Sequence, residues 1–256
     1  MGFAFSPLGN NRFVGYHVDL CQAIVDNISK TIGKKVNVKY VAVTSQNRIP
    51  LTQNGTVDLE CGSTTNNEAR QKDVAFGLTT YMTEVRMVVK VKSGITSIGQ
   101  LNGKTVATTT GTTSVQTLRK HQRAAKANFK ELFGKDHSDS FLLVESGRAD
   151  AFVMDDNILA GLVAASKTPK EFKIVGETLS VEPIAVMIRR DDPGMKKVVD
   201  ATIGSMMADG SLAKLYDKWF MKPIPPQNTS VSLPMGTALK GLFKNPNDKP
   251  MEAYNK

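Results

Sequence analysis

The chain has 256 residues, of which 41% are hydrophobic and 22% are charged, and its formal net charge is +9. This length and composition are typical of a globular protein with one large domain or two lobes of about 100–150 residues each, and its apolar runs are too short and too often interrupted to span a bilayer. The basic residues are spread along the chain without a zinc pattern or an arginine-rich tract, which argues against nucleic-acid binding, although a positive field can steer an anionic ligand.

The beginning of the chain does not read as a secretory signal peptide, because Met1 and Gly2 lead directly into Phe3-Ala4-Phe5. We interpret the sequence as the mature region of an exported protein whose leader has been removed. A cytoplasmic protein would look the same at this point.

The first predicted element is a helix from Tyr16 to Ile32, because apolar residues recur at helical spacing and Gly33 supplies a stop. Val36 to Val43 is rich in β-branched residues and is predicted as a strand. Val57 to Cys61 alternates strictly between apolar and polar residues, which predicts a second strand.

Cys21 lies in the first predicted helix and Cys61 at the end of the second predicted strand. The two cysteines form one disulfide if the helix packs over the strand, which an oxidising compartment allows. The alternative is two buried thiols that behave as small hydrophobic groups. The sequence favours neither alternative.

Ser45 and Arg48 follow the first predicted strand, and Pro50 is tolerated only in the first turn of a helix, so the next helix should begin near Asn47. Free backbone amides and the helix dipole favour anions at such a junction. The alternative is that Ser45 caps the helix and Arg48 is solvated. Spacing alone favours this alternative.

Ser63, Thr65 and Arg70 form a second group of this kind after the second predicted strand. Thr65 to Glu68 matches a capping box, which places Arg70 in the second turn of a helix. Ligands in open α/β sheets bind beyond the carboxyl ends of strands, and a guanidinium fork matches a carboxylate. The two groups together indicate a site for a small dicarboxylic solute.

Strand and helix patterns alternate through the rest of the chain, which predicts an α/β protein with mainly parallel sheets. Asp192 before Pro193 reads as an N-cap followed by proline at the first helical position. The predicted strands are 85–91, 104–109, 150–154, 172–175 and 184–188, and the predicted helices are 112–126, 137–147, 155–166, 193–208 and 211–220.

Three further candidates lie at helix starts in this part of the chain. The turn 108–114, which includes Thr113, is a candidate anion nest without the lysine of a nucleotide P-loop. His137 can donate a hydrogen bond to a carboxylate and make affinity pH-dependent, or it is a surface capping residue. Of Asp155 and Asp156, one can cap the next helix while the other pairs with an ammonium group.

From Lys222 onward the proline-rich segment 222–228 cannot be helical and is predicted to be extended. The tail has one short helical candidate, Ala238 to Phe243, and is predicted to lie along the surface of a lobe as a strap. Catalytic, cofactor and metal motifs are absent from the sequence, which predicts a protein that is not an enzyme.

The sequence resembles the periplasmic glutamate/aspartate-binding proteins of ABC transporters nearly from end to end. The resemblance rests on the segments TSQNRIPL, ECGSTTN, GTTS, KDHSDSF, ESGRA, FVMDD and DKWF…PIPP…FKNPNDKP. It implies an α/β fold of the two-lobed type II periplasmic binding class, in which two hinge crossovers let the lobes close on a ligand. The lobes implied are residues 1–88 with 184–256, which include the C-terminal strap, and residues 89–183.

The resemblance also implies the ligand contacts. It assigns the α-carboxylate to Arg70, Ser63 and Thr65, and the ammonium group to Asp155. It assigns the side-chain carboxylate of the ligand to Ser45, Arg48 and His137, with Thr113 nearby. The function implied is capture of L-glutamate or L-aspartate in the periplasm and delivery to a permease in the inner membrane. Related folds also include dehydratases of cyclic acids, for which Glu182 is the candidate general acid.

One feature of the family is missing from this sequence. Family members begin with an apolar strand that carries a ligand-contacting arginine, before the segment that here starts at Phe3. Without it we expect unpaired backbone groups in the first lobe, each at a cost of about 1–3 kcal/mol. Another segment, or a second copy in a strand-exchanged homodimer, would fill the gap. The alternative function is a truncated scaffold with weak or no ligand binding.

Overall fold

The computed structural model describes residues 3–5, 13–225 and 228–255, and the chain divides into two compact units. Unit 1 comprises residues 1–43, 48–82 and 182–256, and unit 2 comprises residues 44–47 and 83–181. The chain passes from unit 1 into unit 2 within the strand Tyr81–Lys90 and returns within the strand Phe172–Ile184. Residues 226 and 227 of the proline-rich segment, like Met1 and Gly2, lie outside the described residues.

The described elements alternate between helix and strand along most of the chain. The helices are α1 (Tyr16–Ile32), α2 (Arg48–Gln53), α3 (Thr113–Ala124), α4 (His137–Glu145), α5 (Asp156–Ala165), α6 (Pro193–Ala208), α7 (Ser211–Tyr216) and α8 (Thr237–Lys244). The strands are β1 (Leu59–Glu60), β2 (Val74–Phe76), β3 (Tyr81–Lys90), β4 (Thr105–Thr109), β5 (Lys130–Gly134), β6 (Ala151–Asp155), β7 (Phe172–Ile184) and β8 (Met187–Arg189).

Unit 1 is built on a three-stranded sheet in the order β1-β8-β2. Both neighbours of β8 run antiparallel to it, so the prediction of mainly parallel sheets is wrong for this unit. Its core includes an aromatic cluster in which the ring centroids of Tyr216 and Phe220 lie 4.7 Å apart and those of Tyr81 and Phe220 lie 5.0 Å apart. Helices α1 and α6 contribute Leu20 and Ile203 to the same core.

Unit 2 contains a five-stranded sheet in the order β5-β4-β6-β3-β7. Strands β5, β4 and β6 are parallel, as predicted, whereas β3 is antiparallel to β6. Because parallel strands end at the same edge, Thr109 of β4, Gly134 of β5 and Asp155 of β6 lie along one edge of this sheet. Asp155, one of the predicted site residues, lies at this edge.

Two helices match their predicted bounds because their ends carry strong local signals. Helix α1 ends at Gly33, which adopts the left-handed conformation that glycine tolerates. Helix α6 begins at Pro193, and the carboxylate of Asp192 accepts a 2.9 Å hydrogen bond from Met195 N, as an N-cap does.

The strand predicted for Val36 to Val43 is wrong. Within the described residues this segment belongs to no sheet, and its apolar side chains face water, with Val38 and Tyr40 exposed by 43% and 45%. A strand is stable only when another strand takes up its backbone groups, and β-branched composition does not supply that partner. The remaining predicted strands are present with shifted ends, and β2 and β5 were not predicted.

The C-terminal part packs on unit 1, as predicted. Leu239 and Leu242 of α8 are buried in the unit 1 core, and the hydroxyl of Tyr216 donates a 2.9 Å hydrogen bond to Leu233 O.

The predicted helix 211–220 ends as an α-helix at Tyr216 and continues as the π-helical turn Asp217–Met221. None of the helices in the described ranges is long and apolar enough to cross a membrane.

Candidate functional site

In unit 1 the segment after β1 places Thr65 and Arg70 at the edge of the sheet. Thr65 forms an isolated antiparallel bridge with Ile184, and its hydroxyl donates to Glu182 Oε2. The predicted capping box is therefore not formed. Its threonine is used by a carboxylate 117 residues away along the chain, and the amide of Glu68 donates to Glu252 Oε2 at 3.1 Å.

Arg70 begins a short 3-10 turn, Arg70–Lys72, rather than lying in the second turn of an α-helix. Asn67 caps this turn, since its Oδ1 accepts from Arg70 N at 2.8 Å. The side chain of Arg70 is only 9% exposed, and its Nη1 donates to Thr65 O at 2.9 Å. The guanidinium group is therefore held against the same short segment that carries Ser63 and Thr65.

Helix α1 anchors the start of this segment. Cys21 and Cys61 are joined by a disulfide, which settles the question that the sequence left open. One helical turn before Cys21, His17 Nδ1 lies 2.6 Å from Gly62 O. The buried carboxylate of Glu60 accepts from Gly62 N at 2.9 Å and also from the Thr64 hydroxyl. These hydrogen bonds therefore fix Gly62 and Thr64, the residues on either side of the half-buried Ser63.

Burial lowers the pKa of His17 to about 4, although the hydrogen bond to Gly62 O opposes this shift. The neutral ring must donate from Nδ1, because a carbonyl oxygen only accepts. Nε2 lies 2.6 Å from Thr80 Oγ1, and the single hydrogen of this hydroxyl is also within reach of Ile184 O at 3.1 Å. His17 is thus a structural support of the segment, and sequence reasoning did not single it out.

We expect His17 to make unfolding easier in mild acid. An unfolded histidine has a pKa near 6.5, so between pH 6.5 and 4 the unfolded chain binds a proton that the folded chain does not. The free energy of unfolding therefore falls as the pH falls, by about 3 kcal/mol from this residue. Urea unfolding at pH 7, 6, 5 and 4 measures the loss.

The matched control for this prediction is His17→Asn, which retains an N–H donor for Gly62 O but does not titrate. The difference in unfolding free energy between parent and variant should shrink as the pH falls, because all other ionisable groups are common to both proteins. Two parallel pH profiles would contradict the prediction.

Arg48 is the first residue of α2, so the predicted helix start near Asn47 is confirmed. The arginine is 5% exposed, and its backbone oxygen accepts from the Thr52 hydroxyl at 2.9 Å. Burial excludes the alternative in which Arg48 is simply solvated. Among the described residues of unit 1, two arginines, Arg48 and Arg70, are therefore buried.

Ser45 belongs to unit 2 and lies in the turn 44–47, where Thr44 N donates to Asn47 Oδ1 at 2.7 Å. This turn packs closely against Gly111, which follows β4. A Cβ added at Gly111 would lie 2.7 Å from Gln46 Cα and 2.8 Å from Ser45 C. Gly111 also has a φ of +80°, so glycine is required here on both counts.

We expect Gly111→Ala to destabilise unit 2 more than the same change at Gly147. Both glycines have positive φ, but a Cβ at Gly147 meets nothing within 4 Å. Gly147→Ala should cost about 1 kcal/mol, and Gly111→Ala at least about 1 kcal/mol more because backbone atoms must move. Denaturant unfolding of the two variants measures the difference, and equal losses would contradict the close packing.

His137 is the first residue of α4 and lies in a hydroxyl network at the polar sheet edge. Ser140 Oγ is 2.9 Å from Asp136 O and 3.1 Å from Thr108 O, so its hydrogen is used on a carbonyl. Thr109 then donates to Ser140 at 2.8 Å and accepts from His137 Nδ1 at 3.1 Å. This network places a proton on Nδ1 of His137.

Ser140 was not predicted as a site residue, and Thr109 was included only as part of the candidate turn 108–114. The sequence signal for this contact was the glycine at position 134. A Cβ at Gly134 would lie 2.6 Å from Ser140 N, so only glycine lets α4 approach β5 this closely. Thr113 is the first residue of α3, and the preceding Thr112 gives its hydroxyl to Thr109 O rather than capping the helix.

Of the two consecutive aspartates, Asp156 makes the local contacts. Its Oδ1 accepts from the Thr83 hydroxyl and from Asn157 N, each at 2.7 Å, and burial raises its pKa. Asp155 ends β6, is 4% exposed and does not cap α5. The structure thus places Arg48, Ser63, Thr65 and Arg70 in unit 1, and Ser45, Thr113, His137 and Asp155 in unit 2.

The chain is similar to known proteins over most of its length. Residues 2–222 match the model of the bacterial extracellular solute-binding proteins, family 3. The glutamate/aspartate import solute-binding protein of Escherichia coli (strain K12) is 45% identical over 241 residues, which cover 94% of this chain and 80% of that protein. The L-glutamate/L-aspartate-binding protein of Pseudomonas aeruginosa is 43% identical over 251 residues, 97% of this chain and 83% of that protein.

Among solved structures, an ancestral arginine-binding protein bound to arginine matches with a TM-score of 0.73. It is 32% identical in sequence, and the match covers 85% of this chain and 92% of that chain.

Proposed function

Because the chain belongs to the bacterial extracellular solute-binding proteins, family 3, we propose that it binds acidic amino acids for uptake by an ABC transporter. The names of its relatives from Escherichia coli and Pseudomonas aeruginosa support glutamate and aspartate as the ligands. The observation that carries the proposal is the pair of buried arginines, Arg48 and Arg70, in unit 1.

The charges of the candidate residues complement those of an acidic amino acid. Glutamate and aspartate each carry two carboxylates and one ammonium group, and the candidates offer two guanidinium groups and the carboxylate of Asp155. Buried arginine is the side chain best suited to a carboxylate, because its planar fork donates in bidentate fashion and loses little hydration. A neutral amide such as glutamine would offer these two arginines only one carboxylate instead of two.

We assign the contacts as follows. Arg70, Ser63 and Thr65 bind the α-carboxylate, and Asp155 binds the ammonium group. Arg48, Ser45 and His137 bind the side-chain carboxylate, with Thr113 adjacent. His137 Nδ1 donates its proton to Thr109 Oγ1. A hydrogen bond from His137 to the ligand would therefore come from a protonated Nε2.

A thermal-shift panel tests the proposed ligand class. Ligand-stripped protein is heated with L-glutamate, L-aspartate, L-glutamine, L-asparagine or L-arginine. At a concentration about 100 times Kd, a ligand stabilises the folded state by about 2.7 kcal/mol. The two acidic amino acids should therefore raise Tm by about 5–10 °C. Equal shifts for glutamine, or for arginine, would contradict the proposed charge matching.

The proposal places the protein in the periplasm, where it would deliver its ligand to a permease in the inner membrane. The family description, which is that of extracellular proteins of bacteria, supports this location. The disulfide between Cys21 and Cys61 also fits an oxidising compartment.

We propose that the protein is not an enzyme. In a dehydratase of cyclic acids, Glu182 would be the general acid, and it is fully buried. Its Oε2, however, accepts from the Thr65 hydroxyl. This contact ties Glu182 to the binding segment, defined here as residues 62–72. Incubation with prephenate or arogenate should give no product, and formation of phenylpyruvate or phenylalanine would overturn this part of the proposal.

A strand-exchanged homodimer would use the segment 36–43, which exposes Val38, Tyr40 and Val41 and belongs to no sheet within the described residues. Backbone pairing with a second copy would satisfy this segment. Light scattering should then give twice the monomer mass, and Val38→Lys should reduce it. The control Ile32→Lys changes an exposed residue of α1 and should not. A monomeric parent would contradict the dimer.

A further inference from the structure

We propose that the C-terminal strap, defined here as residues 245–255, positions Thr65 and Arg70 and thereby sets the affinity for the ligand. The inference rests on the proposed function for its affinity readout, but its structural basis lies wholly in unit 1. The strap follows the part of the chain that matches the family model, which ends at residue 222.

Asn66 joins the strap to the binding segment. This asparagine is fully buried and stands between Thr65 and the turn that begins at Arg70. Its Nδ2 donates to Asp248 O at 2.8 Å, and its backbone oxygen accepts from Met251 N at 2.9 Å. Its Oδ1 accepts from Gln71 Nε2 at 2.8 Å, which links the same side chain to the Arg70 turn.

The strap makes two further hydrogen bonds with unit 1, at Glu68 and at Thr79. The exposed amide of Glu68 donates to Glu252 Oε2 at 3.1 Å, and Thr79 N donates to Asn247 O at 2.9 Å. On the opposite side of the segment, Asn66 N donates to Pro183 O at 2.9 Å. The binding segment is thus clamped between the strap and the residues that follow Glu182.

Lys196 of α6 fixes the strap from outside the binding segment. Its Nζ lies 2.8 Å from Asp248 Oδ2, 2.9 Å from Asp200 Oδ2 and 2.9 Å from Phe76 O. Lys196 is only partly exposed, so these contacts are less screened than those of a surface pair. Changing it loosens Asp248 without altering any residue proposed to touch the ligand.

The test is Lys196→Met, with Lys197→Met as the matched control on the exposed side of the same helix. Two quantities are measured at a temperature where each protein is fully folded: Kd for L-glutamate, and the hydrogen-exchange rate of the amides from Gly62 to Lys72. Lys196→Met should raise Kd roughly tenfold and speed exchange in this stretch. Lys197→Met should change neither quantity.

A second variant, Asn66→Leu, removes the donor to Asp248 O without adding a charge near Arg70, and should give the same pattern more strongly. A merely structural role for the strap predicts lower unfolding free energy with unchanged Kd and unchanged exchange between Gly62 and Lys72. That result would overturn the inference. If the parent does not bind glutamate, the proposed function fails, and the exchange rates alone decide whether the strap orders the segment.

Discussion

Arg70→Ala should weaken binding of L-glutamate by about 100-fold or more, the largest loss of affinity expected from any single substitution in this chain. Arg70 is 9% exposed and held to Thr65 O, so it is fixed in place before the ligand arrives. Removing one partner of a buried, hydrogen-bonded charge pair costs about 2–5 kcal/mol, and each 1.4 kcal/mol is a factor of ten in Kd. Isothermal titration calorimetry measures the change.

The chain offers a control in Arg119→Ala. Arg119 donates from Nε to Glu131 Oε1 at 2.9 Å, but its side chain is 48% exposed and it is not one of the proposed site residues. This variant should bind glutamate as the parent does. Arg70→Lys should be intermediate, because it keeps the charge and loses the planar fork. An Arg70→Ala variant with the affinity of the parent would show that the α-carboxylate lies elsewhere.

Removal of the disulfide should have the largest effect on stability. Cys21 and Cys61 are 40 residues apart along the chain, and closing a loop of that length removes chain entropy worth about 4 kcal/mol from the unfolded state. Replacing both cysteines by serine should lower the free energy of unfolding by about this amount. Small domains are stable by only about 5–15 kcal/mol, so the loss is a large fraction of the total.

A reductant supplies the control for the disulfide prediction. Dithiothreitol should lower the Tm of the parent to that of the double-serine variant and leave the variant unchanged. The effect should extend to ligand binding, since Cys61 adjoins Gly62 and the segment that carries Ser63. A loss below about 1 kcal/mol would mean that the hydrogen bonds of His17 and Glu60 hold the segment without the disulfide.

The helices that the sequence predicts well are those whose ends carry local signals. Gly33 stops α1 through its left-handed conformation, and Asp192 with Pro193 starts α6. The strand predicted for Val36 to Val43 is wrong, and β2 and β5 were missed, because pairing partners decide whether such segments form strands. The residues of β5 are mostly exposed or half-buried and lack a clear alternation, yet they pair in register with β4.

The candidate residues could be named from the sequence because hydroxyls and arginines follow apolar strands at short spacing. Their supports could not. Thr65 is bound by Glu182, Gly62 by His17 and Asn66 by Asp248, and each pair is separated by more than 40 residues along the chain. The predicted capping box of Thr65 and Glu68 was wrong for the same reason, because tertiary partners displaced a local pairing.

The most direct test of the central proposal is calorimetric titration of ligand-stripped protein with L-glutamate and L-aspartate. We predict saturable binding of both, with one ligand per chain and with L-glutamine at least about tenfold weaker, since an amide offers the two arginines one carboxylate instead of two. The absence of binding heat for either acidic amino acid, in a sample whose circular dichroism shows a folded protein, would contradict the proposed function.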